Sequence, residues 1–275
     1  MEDNLKCIRK IMKVVLSRKG FDSENGGIAS PILPDGTLLS LPIPEKEKYK
    51  NGRAYSELSY KDETYERIIK QLKPKFKNKV CHLDPDIREG IFKTPDNWKP
   101  AFGQHGGSLT TLRKHGVKRD DLFLFFGLFR QTKRLNENGR LSYLDNEPNK
   151  HIIFGYLQIG EIIANQTEID NKFPWHPHAY MNENNNCLYV PRNTLSWDES
   201  KPGYGVFQNE SRFVLTKNNC SCSFWNPDEI FKKMPGHWHE DHPIYGKYFE
   251  TAARPGQEFI FEECLVVEKW AKSLF

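Results

Sequence analysis

From Leu122 to Phe129 the chain reads LFLFFGLF, apolar at every position except Gly127. Alternation would mark a strand with one wet face, whereas an unbroken short run marks a strand covered on both faces. A second run, HIIFGYLQIGEII over 151–163, has the same character and follows a polar stretch, TKRLNENGRLSYLDNEPNK. Two such strands at the centre of a chain require other elements packed outside the sheet that holds them. Only 37% of the 275 residues are hydrophobic while 13% are aromatic, so the core must rely on Phe, Tyr and Trp.

Around that centre the patterning predicts a strand over 13–16 and an extended run, GTLLSLPIP, over 36–44. Tyr65, Ile68, Ile69 and Leu72 recur at helical spacing and Pro74 ends that helix. KVCHLDPDI reads as a short strand, and SLTTLRKHGV as a helix capped by Ser108 and stopped at Gly116. NCLYVPRNTL and SRFVLTK read as strands, and NPDEIFKKM as a short helix with Asn226 as its cap. QEFIFEE is the last strand and CLVVEKWAKSLF the closing helix. The fold expected is α+β: a curved, mostly antiparallel sheet or partly open barrel with several peripheral helices. Residues 1–11 read as an N-terminal extension and 12–275 as a single domain.

Lys plus Arg number 40 and Asp plus Glu 36, a net +4 that leans toward an anionic partner without requiring nucleic acid. No run of about 18 apolar residues occurs, so no membrane-spanning helix is expected. The N-terminus carries charges within its apolar stretch and lacks the pattern of a secretory signal. The six cysteines are therefore expected to be reduced thiols in a cytoplasmic protein, with Cys81, Cys187 and Cys264 buried as small apolar groups.

Four constellations carry possible chemistry. The strand ending at Ser17 runs into Arg18, Lys19 and Asp22, then Gly26 and Gly27. Cations beside glycine-rich chain suit a phosphate, and Asp22 suits a sugar hydroxyl or a proton; the same residues also suit a solvated turn. Asp84 and Asp86, two apart in HLDPDI, share a side if extended and then serve a divalent cation or divide acid and base roles; Asp-Pro-Asp is equally a turn signal. Gln104 and His105 precede Gly106, Gly107 and a helix start, either an anion site facing a base or a loop and cap. His176 and His178 in WHPHAY, and His237, His239 and His242 in GHWHEDHP with Cys220 and Cys222, match no standard zinc spacing and read as polar aromatic loops; no metal ligand is assigned. Arg130, just past the aromatic run, and Trp175 in a loop are candidates for contact with a base.

LFLFFGLFR and HIIFGYLQIGEI bear a short resemblance to the core of PUA-like barrels of the EVE and ASCH type, which hold a nucleobase or nucleic-acid segment against aromatic residues. A longer resemblance runs from about Met12 to the C-terminus. LSRKGFDSENGG, ASPILPDG, LSLPIP, HLDPDI, FGQ, DLFLFFGLFR, HIIFGYLQIGEI, HPH and the Trp225 segment WNPDEIF are similar, in this order, to the third of the nucleotide-modification-associated domain families. The chain departs from that pattern at Asp120-Asp121, where Gly-Asp is expected, and at Leu128, where Trp is expected. The resemblance implies association with systems that make, read or restrict modified DNA bases, and supplies no mechanism or cofactor. Two functions follow as expectations. One is a nucleotide-handling protein with Ser17, Arg18, Lys19, Gln104, Arg130 and Trp175 binding and Asp22, Asp84, Asp86 and His105 doing chemistry. The other is a non-catalytic reader of a modified base in DNA through an aromatic cleft.

Overall fold

The aromatic run lies at the middle of the main sheet, buried at every position from Leu122 to Phe129. The computed structural model describes residues 11–45, 52–134, 136, 139–181, 184–233, 237–251 and 258–275; residues 1–10 of the expected 1–11 extension and the side chain of His237 lie outside the described residues. The strands that build the site are β1 (Val14–Arg18), β2 (Val80–His82), β3 (Phe102–His105), β4 (Leu122–Arg134), β5 (Lys150–Ile163), β6 (Asn186–Pro191) and β7 (Glu258–Ile260). The α-helices are α1 (Tyr65–Leu72), α2 (Gly106–Lys114), α3 (Gln166–Lys172) and α4 (Leu265–Ser273).

The path through the main sheet is β7–β1–β4–β5–β6–β3. β1 runs parallel to β4, Val14 opposite Leu122 and Arg18 opposite Phe126, and the other neighbours on the path are antiparallel. A further short strand, Ser30–Ile32, is also parallel to β4, so the sheet is mixed. Register shifts in β5, at Ile153/Gly155 and Ile159/Glu161, add the bends that bulges bring. The sheet curls into a half-barrel. Its two ends meet: Gln104 on β3 donates a hydrogen bond through Nε2 to Glu258 on β7.

Alternation along β4 sends successive rings to opposite faces. Phe123 and Phe125 stack with planes 8° apart, and Phe102 meets both edge-on at 4.8 and 5.0 Å. On the other side Phe126 meets Trp225 edge-on at 5.3 Å. Each such burial contributes about 2–3 kcal/mol. The glycine inside the run has its own reason: a Cβ on Gly127 would come within 2.6 Å of the Lys19 carbonyl, where the chain leaving β1 crosses. A second cluster, with Phe21, Tyr55, Tyr65, Ile68 and Ile69, seats α1, whose cap is Thr64 accepting from the Arg67 amide.

Several local expectations need correction. SRFVLTK is not a strand: Ser211–Phe213 is a 3-10 turn that buries Phe213, and Val214 and Thr216 make only isolated bridges. The helix after Trp225 is the 3-10 segment Glu229–Lys233, where Asp228 Oδ1 accepts from the Ile230 amide; the expected cap, Asn226, is engaged with the Val214 carbonyl instead. α2 starts at Gly106, so Ser108 lies inside it and His105 holds the cap position. His237–His242 is a strand paired with Gly246–Glu250, not a loop, and His239 stacks on Tyr248 at 4.4 Å. His176 and His178 are buried. Cys81 and Cys187 are buried as expected, while Cys264 is only half-buried at the start of α4.

Candidate functional site

β1, β2 and β3 end close together, and the first turn of α2 closes the gap between them. A cavity of about 490 Å³ opens there, lined by Arg18, Lys19, Asp22, His82, Asp84, Gln104, His105, the first residues of α2 and His178. Segments distant in sequence thus share one concave surface of the size that small ligands occupy.

The two cations arrive on the end of β1. Arg18 Nη2 lies 3.6 Å from Asp22 Oδ2, and both side chains are almost wholly buried. Asp22 closes its own turn: Oδ1 accepts from the amides of Glu24 (2.9 Å) and Asn25 (2.7 Å). Lys19 Nζ sits 4.3 Å over the Phe102 ring and 3.6 Å from Glu258 Oε1. Glu258 Oε1 also accepts from Ser17 Oγ at 3.0 Å and from Gln104 Nε2. Glu258 Oε2 is buried and has no hydrogen-bond partner among the described residues. Burial raises the Glu258 carboxyl above its ordinary range, with Lys19 opposing.

Gly106, Gly107 and Ser108 line the cavity at the start of α2. The first amides of a helix lack intrahelical acceptors, and the helix dipole adds partial positive charge there; here the Gly106 amide donates to the Asn185 carbonyl at 2.9 Å. His105, exposed, holds the cap position with no side-chain cap bond.

On the opposite wall Asp84 Oδ1 accepts from the Gly103 amide at 2.7 Å and lies 3.5 Å from His176 Nε2. Burial alone would raise this carboxyl, but the His176 bond and the charge of Lys19 hold it well below the usual carboxylate range. His178 Nδ1 is 2.6 Å from Asn186 Oδ1, and burial holds its pKa well below the ordinary value, so the ring is neutral at pH 7. Its flat seat needs a glycine: a Cβ on Gly103 would stand 2.2 Å from the ring. His82 Nδ1 lies 3.0 Å from Glu45 Oε2, and its ring meets that of His178 edge-on at 5.2 Å.

Of the residues singled out from sequence, Arg18, Lys19, Asp22, Asp84, Gln104 and His105 line the cavity. Ser17 stands behind its wall, bonded to Glu258. Asp86 does not line the cavity; its backbone bridges Ala101, and its carboxylate accepts from Trp98 Nε1 at 2.8 Å. Arg130 lies away from the cavity, donating to the Leu144 carbonyl over the Tyr143 ring. Trp175 also does not line it and packs on Phe173. The aromatic rings of β4 are core and form no cleft. Sequence reasoning missed His82 and Glu258, and it named His178 only as part of a polar aromatic loop with no ligand role. The signal for His82 was present, since His82-Leu83-Asp84 puts two polar groups two residues apart.

A protein-family model described as nucleotide modification associated domain 3 matches residues 13–262. No curated protein matches the chain, and no solved structure matches it.

Proposed function

Because this chain belongs to the nucleotide modification associated domain 3 family, we propose that its cavity binds a nucleotide by the phosphate. The observation that carries this reading is convergence. Arg18 at the end of β1, Lys19 just after it and residues 106–108 at the start of α2 line the same cavity. Guanidinium, ammonium and helix-start amides are the donors that phosphate oxygens take.

In this reading the ion pairs of Arg18 with Asp22 and of Lys19 with Glu258, both 3.6 Å long, hold the two cations in place until phosphate arrives. Asp22 is an orienting group, since its own turn and Arg18 already engage it. Gln104 reaches the cavity from β3 and presents an amide to the base or sugar. His105, exposed at the helix entrance, is placed to exchange a proton with the ligand.

Calorimetric titration with nucleoside 5′-monophosphates and the matching nucleosides tests this reading. Monophosphates bind and nucleosides bind at least about tenfold more weakly, since charge-assisted hydrogen bonds contribute about 1.5–3 kcal/mol each. Lys19→Ala and Arg18→Ala each remove most of that difference. Equal affinity for both ligands, or unchanged affinity in both variants, rejects the proposal.

A further inference from the structure

We infer that His82, Asp84 and His178 form a binding site for one divalent first-row transition-metal ion, open to the cavity on its remaining side. One ligand atom from each of the three lies within 4.8 Å of the others. Ligation at about 2.1 Å sets ligand atoms about 3.0–3.5 Å apart, so an ion draws the trio together by about an ångström.

The hydrogen bonds around the trio aim its free atoms inward. Asn186 Nδ2 donates to Gln166 Oε1 and to the His178 carbonyl, both at 2.9 Å, which leaves Asn186 Oδ1 as an acceptor. His178 Nδ1 must therefore carry the proton, and in a neutral ring Nε2 holds the lone pair. A carboxylate only accepts, so Glu45 selects the same tautomer in His82. Neither Nε2 hydrogen-bonds a described residue, although His178 is 1% exposed. The Gly103 amide and His176 both engage Asp84 Oδ1, and Oδ2 is the oxygen left for an ion. Outer partners that fix ring orientation and tautomer in this way accompany metal-binding histidines.

Two imidazoles and one carboxylate select zinc, iron(II) or manganese(II) over magnesium or calcium, which prefer all-oxygen surroundings. Three protein ligands leave coordination positions for water or a cavity ligand, as in catalytic rather than structural sites. The trio stands on its own geometry and does not depend on the nucleotide reading.

The test uses the full chain, stripped of metal and free of nucleotide. It is titrated with Zn(II) and Mn(II), and anaerobically with Fe(II), and bound ions are counted by elemental analysis after gel filtration. The expected result is one ion per chain for at least one of the three metals. His82→Gln and His178→Gln weaken binding by about 100-fold or more, and Asn186→Ala, which keeps all three ligands, by about 10-fold or more. His239→Gln and His242→Gln leave binding unchanged. His82 is half-buried at the rim, so His82→Gln decides the matter if the His178 variant does not fold. The proposal falls if none of the metals binds, if His82→Gln binds as the parent does, or if binding is lost with His239 and His242 instead.

Discussion

His151 is enclosed by Phe126 and Trp225, and the Trp225 indole donates to its Nδ1 at 3.0 Å. Its Nε2 is buried with no hydrogen-bond partner among the described residues. Burial, aided by the charge of Arg18, pushes its pKa down to about 3, so the folded ring is neutral. The unfolded chain takes up a proton below about pH 6.5 that the folded chain refuses, so stability falls as pH falls from 6.5 toward 3. This group contributes a slope of up to about 1.4 kcal/mol per pH unit in that window. His151→Gln keeps an acceptor for Trp225 and should flatten the slope by that amount; urea unfolding at pH 4.5, 5.5 and 7 measures it. A slope equal to the parent's would mean that His151 is not held neutral. Gly103 is the other decisive residue. Gly103→Ala must move the His178 ring, costing about 1–3 kcal/mol of stability. It also lowers metal affinity, a loss that thermal unfolding and metal titration of the same variant read separately.

At the seam between β3 and β7 one carboxylate receives Ser17, Gln104 and Lys19. Glu258→Ala leaves a nearly buried ammonium and amide without their acceptor and should cost about 3 kcal/mol. Glu258→Gln retains an acceptor and should cost less, and chemical denaturation ranks the pair. If Ala and Gln cost the same, the seam is not held by these hydrogen bonds. The main elements were legible in the sequence where local signals agreed. The apolar runs of β4 and β5, the spacing of Tyr65, Ile68 and Ile69 in α1 and the helical pattern from Ser108 onward in α2 all marked elements that formed. SRFVLTK was misread because Phe213 is buried from a 3-10 turn, and single apolar anchors carry no period. GHWHEDHP was misread because its strand pairs through a tight hairpin, and its side chains do not follow a hydrophobic alternation.

At the scale of the molecule, the curl of the sheet makes the site. Arg18, Lys19, Asp84 and Gln104 could be nominated from local chemistry, but their meeting depends on a path that folds β3 back onto β7. That long-range closure leaves no local signature, so the role of His178 and the presence of Glu258, which join the cluster from far along the chain, were not legible, and Asp86, Arg130 and Trp175 do not line this cavity. Around the cavity two cations, Arg18 and Lys19, face three carboxylates, Asp22, Asp84 and Glu258. A divalent ion at His82, Asp84 and His178 reverses that balance. Nucleotide affinity should therefore rise at least about tenfold on adding metal to stripped protein, in the same calorimeter; an affinity indifferent to metal would separate the two sites. The most direct measurement is a crystal structure with a nucleoside 5′-monophosphate soaked in. The account predicts the phosphate within hydrogen-bonding distance of Arg18, Lys19 and the amides of Gly107 and Ser108 at the start of α2. A nucleotide seated elsewhere, with those groups still turned to Asp22 and Glu258, would contradict it.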